Sequence, residues 1–325
     1  MYSSKEMWNN FVDGNRYSSI FQRYEMADVY NKTRNMSGIR LAASNEEGKI
    51  LACMVVKIEY KRFLKQMTST SIIENAPLYE DSEQGRKAAE FLVEYNDKYI
   101  KKKVLYTNVK INKNGFLEML YESEGYNKTE CLNFEIKLNH DANAVFRLIH
   151  KSRRKNIKRA GKRGVKVIEA AKPLLKDFYR LLKETYGKVG VDIPDISLFN
   201  ATFDLMPNNI KLFFAKYQDK LIAGRLILLY RKEIFDWYAG ASSEYLNLFP
   251  NDTLVWHVLE YGCRSSYELF NFGGAGIAEE EYGVREFKRR FGGQLVRYNS
   301  FKKVHKPIIT KLGSMFSSFY RKIKS

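Results

Sequence analysis

The stretch whose reading decides the fold is DKLIAGRLILLYRKEIFDWYAGAS (residues 219–242), followed by PNDTLVWHVLEYGCRSS (250–266) and YELFNFGG (267–274). The first block is apolar and β-favouring and reads as a two-stranded hairpin. In the second, Leu254, Val258 and Tyr261 fall on one helical face behind Pro250 and Asp252. Proline presets the first helical dihedral and the acid meets the positive helix end. The third block reads as a strand that runs into two glycines. Hairpin, helix, strand is a mixed α/β order.

The first half of the chain repeats this order. GKILACMVVKIEY (48–60) is an apolar strand, PLYEDSEQGRKAAEFLVEYNDKYIKKK (77–103) has helical periodicity through Ala88, Phe91, Leu92 and Tyr95, and VLYTNVKI (104–111) is another strand. Each half closes on an aromatic, basic or glycine-marked segment read as a strand pair, GFLEMLYESEGYNKTECLNFEIKL (115–138) and FKRRFGGQLVRYNSF (287–301). A unit that occurs twice predicts two tandem α/β domains, residues 1–140 and 141–302, the break marked by Asn139, His140, Asp141 and Asn143. Residues 303–325 carry Ile308, Leu312, Met315, Phe316, Phe319 and Ile323 at helical spacing. This amphipathic helix is expected to pack back on the first domain, with peripheral contact to an anionic membrane as its other use.

Working outward from Gly273, residues 270–293 read FNFGGAGIAEEEYGVREFKRRFGG. Gly273 and Gly274 free the backbone to turn and let a ligand approach it closely. Lys288, beside Phe287, supplies a cation for a phosphate or a developing oxyanion. The competing reading is a tight turn with solvated basic residues.

The 325 residues carry Lys+Arg 55 against Asp+Glu 37, a formal charge of +18, which points to polyanionic partners: nucleic acid, nucleotide-linked substrates or anionic membrane. Much of this charge sits in AVFRLIHKSRRKNIKRAGKRG (144–164), read as one helix in which Lys151, Arg153, Arg154, Lys155, Lys158, Arg159, Lys162 and Arg163 have no acid among them. The plain reading is a solvated helix face, but like charges at helical spacing repel, so an anionic partner or neighbouring acids elsewhere in the chain are expected to offset the cost. Cys53, Cys131 and Cys263 are scattered, odd in number and without CxxC or Cys/His clustering, which indicates neither disulfides nor zinc and fits a reducing, cytoplasmic setting. The N-terminus has no signal-like pattern and no long apolar span is present.

No metal-ligand spacing surrounds the four histidines, and GxSxG, GxxxxGK[ST] and helix-opening GxGxxG motifs are absent. The blocks NAPLYE, RRKNIKRAGKRGV, LLKETYGKVG, WYAGAS, FPNDTLVWHVLEYG, FNFGGAG and GVREFKRRFGG together resemble the Fem family of non-ribosomal peptidyl- and aminoacyltransferases, which are duplicated GNAT-fold proteins. The resemblance spans nearly the whole chain and is most specific over residues 237–293. It implies two GNAT-like domains, each a mixed, mostly antiparallel sheet flanked by helices. No heptad-rich insertion appears between Gly164 and Gly293, so the long coiled-coil arm of some members is not expected.

The resemblance also implies transfer of an amino acid from aminoacyl-tRNA, the co-substrate, to an amine of a nucleotide- or lipid-linked cell-wall precursor, without metal or other cofactor. It assigns catalysis to Lys288 and substrate contact to Phe287, Tyr238 and Arg154, while the chain has Lys158 where the family's basic block usually has arginine. An activated ester needs alignment and oxyanion stabilisation more than a strong base, and a protonated Lys288 suits that task. Two alternatives stand beside this one. An acyl-CoA-dependent N-acyltransferase of wall or surface-polysaccharide modification would use a glycine-rich pyrophosphate turn at a helix N-terminus, of which no clear copy is seen. A basic RNA- or DNA-binding protein would interleave cations with aromatics, and residues 147–166 contain no Phe, Tyr or Trp.

Overall fold

The computed structural model describes residues 4–60, 68–112, 114–278 and 283–311. The chain divides into two units, Met1–Glu130 with Tyr298–Ser325, and Cys131–Arg297.

In the first unit α1 (Lys5–Gly14) and α2 (Tyr24–Lys32) precede the antiparallel pair β1 (Met36–Ser44) and β2 (Ile50–Glu59). Next come β3 (Thr70–Ile73) and β4 (Leu78–Tyr79), both on β2, then α3 (Glu83–Ile100), β5 (Tyr106–Ile111), α4 (Gly115–Ser123) and the start of β6 (Asn127–Lys137). β3 and β5, joined through α3, run parallel. The Ser82 side chain caps α3 by accepting from the Gly85 amide, and Asn114 caps α4 through the Leu117 amide. The core sets Met54, Val56, Leu92, Val93, Val109 and Tyr121 against Phe301, which arrives on the returning residues 299–304 beside β5.

The second unit begins in β6 and continues through α5 (Ala142–Leu148), α6 (Lys151–Lys162), β7 (Val165–Ala170), α7 (Leu175–Lys188) and α8 (Ser197–Leu205). The sheet strands β8 (Ile210–Tyr217), β9 (Lys220–Tyr230) and β10 (Glu233–Ala241) follow, then α9 (Pro250–Arg264), β11 (Leu269–Asn271), α10 (Gly283–Arg289) and β12 (Gln294–Val304). The strand order is β6-β11-β10-β9-β8-β7, antiparallel throughout except for β10 beside β11. Ile227, Leu229, Ile234, Val255, Val258, Leu259 and Phe270 fill the layer between sheet and α9. On the other face a Cβ on Gly224 would sit 2.7 Å from the Phe178 ring, and one on Gly240 2.7 Å from the Leu181 backbone, so α7 packs there.

Three sequence expectations change. The segments closing each half are helix then strand, α4 with β6 and α10 with β12, because Leu117 and Tyr121 bury one helical face before the strand alternation begins. The predicted single helix over 144–164 is two: Ile149 is extended and His150 caps α6, its ring nitrogen accepting from the Ser152 amide. The boundary expected at 140/141 lies at 130/131, and the one expected after 302 at 297/298. Strand pairing is the reason: residues 135–137 of β6 pair with β11, and residues 299–304 pair with β5. Residues 303–304 finish that strand and 307–311 are helical; the rest of the expected tail helix lies outside the described residues. No described helix is long and apolar enough to cross a membrane.

Candidate active site

β10 and β11 pair over Glu233–Leu269, Ile234–Phe270 and Phe235–Asn271, and there the pairing stops, although β10 runs on to Ala241. Asn271 ends β11. Its side-chain oxygen accepts the Gly273 amide at 2.8 Å, and its own orientation is held by Asn133, which donates to that oxygen at 2.7 Å, and by Glu233, which accepts its Nδ2 at 2.7 Å. Gly273 then turns with φ +79, and a Cβ there would lie 3.1 Å from the Asp236 carbonyl and from the Phe235 ring. Only glycine combines that dihedral with so close an approach.

α10 is latched to this glycine-rich segment by two side chains one turn apart. Lys288 Nζ donates to the Phe272 carbonyl at 2.8 Å and to the Gly274 carbonyl. Arg285 donates through Nε to the Ala275 carbonyl at 3.0 Å and through Nη2 to the Ile277 carbonyl at 2.5 Å. Burial pulls the Lys288 ammonium down to about 8, with Asp236 opposing the fall and Arg225 adding to it. It is therefore still mainly charged at neutral pH, yet closer than an ordinary lysine to the point at which it gives up a proton. Two of its three donors engage carbonyls that carry no full charge.

Below the lysine lies a buried ion pair that the sequence reading passed over. Arg225 in β9 donates through Nη1 to Asp236 Oδ2 in β10, their side chains only 4% and 8% exposed. Arg225 falls between Ala223 and Ile227, and Asp236 opposite Ile227, so both occupy the α9 face of the sheet. The register then slips between Asp236 and Tyr238, a bulge at Trp237, and Tyr238 pairs with Leu226 on the α7 face. Tyr238 accordingly packs on Phe199 at 5.1 Å and Tyr186 at 6.3 Å between ring centroids. The structure joins Lys288 with Gly273 and Gly274, and puts Tyr238 on the opposite face of the sheet.

The basic helix α6 separates its two adjacent arginines. Arg153 turns inward, 3.1 Å from Asp252 of α9, and its guanidinium lies 4.6 Å from the centre of the Phe287 ring. Phe287 also packs on Phe291 at 5.1 Å and joins the core, so its ring fixes α10 against α6. Arg154 turns the other way. With Lys151, Lys155, Lys158, Arg159 and Lys162 it lines a shallow open groove along α6, and its Nε is buried without a partner. Main-chain contact ties the two helices, the His150 amide donating to the Arg290 carbonyl at 2.9 Å. Gly292 closes the turn at φ +82, where a Cβ would meet the Leu148 carbonyl at 2.5 Å.

Sequence reasoning missed Arg225, Asp236, Arg285 and Arg153. The first two did leave a signal: one arginine inside LIAGRLILLY and one aspartate inside IFDWYAGA, each charge in an otherwise uncharged run that demands a buried partner. Arg285 and Arg153 left none, since each is one cation among many. Among the described residues no cluster of His, Cys, Asp and Glu could hold a metal ion, and the three cysteines are buried and unbridged.

The fold that carries these residues is similar to that of known proteins. Residues 150–289 match the acetyltransferase (GNAT) domain family. The crystal structure of FemX superposes with a TM-score of 0.72 at 15% identity, covering 96% of this chain and 98% of that one. The chain has a Fem-like tandem GNAT fold. A tandem GNAT protein from the clavulanic acid biosynthesis pathway gives a TM-score of 0.59 at 8% identity, over 93% of this chain and 94% of that one. No curated protein matches by sequence. In the Fem-like fold the GNAT-family match covers the second unit from α6 to the end of α10, so Lys288, the glycine turn and the Arg225–Asp236 pair all lie within the acyltransferase domain.

Proposed function

We propose that the protein is an aminoacyltransferase that moves an amino acid from aminoacyl-tRNA to an amine of a cell-wall precursor peptide, with the reacting ester held at the glycine turn of the second unit. The observation that carries this reading is the seat of Lys288: a desolvated ammonium hydrogen-bonded to two carbonyls at the point where β10 and β11 part. When the acceptor amine attacks the ester carbonyl, negative charge gathers on one oxygen. A dry cation favours that oxyanion over the neutral ester, and exchanging neutral carbonyls for it gains Coulomb energy. The ammonium needs no base of its own, because an ester of an amino acid is already activated.

The α6 groove supports a polyphosphate co-substrate. Six cations follow one helix whose first turn holds no acid, and they would take up phosphates of a transfer RNA or of a nucleotide- or lipid-linked acceptor. No resident metal or organic cofactor is part of this proposal; peripheral association with an anionic membrane is its extension for a lipid-linked acceptor.

Acyl-CoA is the second reading, favoured by the GNAT match. Against it stands the segment before α9. In place of a glycine turn it is a 3-10 helix, Ser243–Leu248, whose first amide donates to the Glu184 carboxylate at 2.7 Å. A carboxylate at that point opposes a pyrophosphate.

The deciding experiment incubates the protein with a mixed aminoacyl-tRNA pool and wall precursors and looks by mass spectrometry for an amino-acid-sized increment on the precursor. An increment that disappears in Lys288→Met supports the proposal. Stoichiometric, tight binding of acetyl-CoA without such an increment replaces it with the acyl-CoA reading.

A further inference from the structure

We infer that Asp236, backed by Arg225, is the counter-ion that keeps the Lys288 ammonium charged and seated on the Phe272 and Gly274 carbonyls, a positioning residue for the acyl-transfer site. The inference rests on the reading of Lys288 as the cation of that site.

A buried ion pair in the middle of a sheet is a poor source of stability, since apolar residues of the same volume often do as well or better. Arg225 and Asp236 are nevertheless nearly sealed from solvent on the apolar α9 face, and their pairing is incomplete. Arg225 Nε and Asp236 Oδ1 are buried with no hydrogen-bond partner, where a purely structural arginine–carboxylate pair tends to close as a two-pronged fork. One carboxylate oxygen is thus uncommitted. Asp236 is the first residue of β10 beyond the pairing with β11, and its backbone carbonyl lies 3.1 Å from where a Cβ on Gly273 would sit, Gly273 being bracketed by the two carbonyls that hold Lys288.

Three charges, two positive and one negative, are therefore gathered where β10 and β11 part, the Arg225–Asp236 pair sealed in the sheet and Lys288 on the Phe272 and Gly274 carbonyls. Without the aspartate, Arg225 and Lys288 repel each other. The lysine relieves this by losing its proton, whereas Arg225 stays charged. Among the described residues the other charges near α10 are engaged elsewhere: Arg285 with the Ala275 and Ile277 carbonyls, Arg153 with Asp252 across the Phe287 ring, Glu286 with Arg289 and Arg290, and Glu233 with the Asn271 amide, while Glu135 pairs in register with Asn271 from β6. Residues 272–277 contain no ionisable side chain.

The test reads the ionisation of Lys288 itself. Trace acetylation by acetic anhydride is followed across pH, with peptide mass spectrometry reporting the labelling midpoint of Lys288 in the whole protein. Asp236→Asn is expected to lower the midpoint by about one pH unit or more, and Arg225→Met to raise it by a similar amount. A structural role alone would not move them in opposite directions. Should Asp236→Asn fail to fold, Arg225→Met and the double variant Arg225→Met/Asp236→Asn still decide the matter, the double variant falling below Arg225→Met. Unchanged midpoints, or shifts of one sign in both single variants, overturn the inference. The readout is independent of any acyl donor, so absence of aminoacyl transfer would leave these shifts measurable, and absence of the shifts would leave the transfer assay intact.

Discussion

Each unit joins two parallel strands through one helix, β3–α3–β5 in the first and β10–α9–β11 in the second, and each sets buried charge near the end of the parallel pairing. In the first unit Glu74 directly follows β3 and is gripped by Lys57 at 2.9 Å and Lys110 at 2.6 Å, with Glu59 also on Lys57 at 2.9 Å. Burial alone would raise the Glu74 carboxyl, but Lys110 and Lys57 outweigh it and hold it well below the ordinary carboxylate range. Burial likewise disfavours the Lys57 ammonium, and Glu74, Tyr30 and Glu59 together outweigh that, pushing it up. The cluster is closed: each charge has its opposite within contact. In the second unit the lysine is held by carbonyls and its ammonium falls to about 8. The same architecture thus carries one lysine locked into its charge by carboxylates and one left able to answer a charge that appears during a reaction.

That contrast breaks most sharply on Lys288→Met, which is expected to lower transfer by about 100- to 1000-fold or more while leaving the far-ultraviolet circular dichroism unchanged. Lys57→Met, assayed where it remains folded, is expected to keep the wild-type kcat; equal losses in both variants would end the distinction between the units. Next in size, Glu74→Gln leaves two cations facing each other in the first unit and is expected to cost about 3 kcal/mol in urea unfolding.

The pH responses of the two clusters have opposite sense. The folded Glu74 carboxyl lies below its unfolded value, so its stabilisation is present above the ordinary carboxylate range and is lost as pH falls through the folded value. Melting temperature followed through the acid range reports it. Transfer that depends on a charged Lys288 is expected to decline about tenfold per unit once pH passes about 8, seen in kcat/KM; a rise there would make the neutral amine the active form. Gly273→Ala, which forces a Cβ against the Asp236 carbonyl, is expected to cost about 1–2 kcal/mol and to weaken transfer by unseating Lys288. The smallest effect on the fold belongs to Lys155→Glu with Lys158→Glu on α6. RNA binding is expected to weaken about tenfold with a shallower salt slope, and the melting temperature to stay put.

Amino-acid order alone disclosed the α/β class and the duplication, because strand and helix periods differ and residues 48–111 and 219–274 each write strand, helix, strand in turn. It singled out Lys288 and the two glycines as well, since a glycine turn and a basic side chain are local features. It marked Phe287, Tyr238 and Arg154 too, but could not say where they point. A bulge at Trp237 turns Tyr238 to the α7 face, and helical phase sends Arg153 inward while Arg154 stays outside. The tertiary structure alone decided which strand belongs to which unit, since pairing joins residues 299–304 to β5 across nearly two hundred positions. It alone buried Arg225 on Asp236 in the sheet and set Lys288 on the carbonyls where β10 and β11 part. The strength of a charge depends on how much water and how many opposite charges surround it, and those are set by residues far apart in sequence.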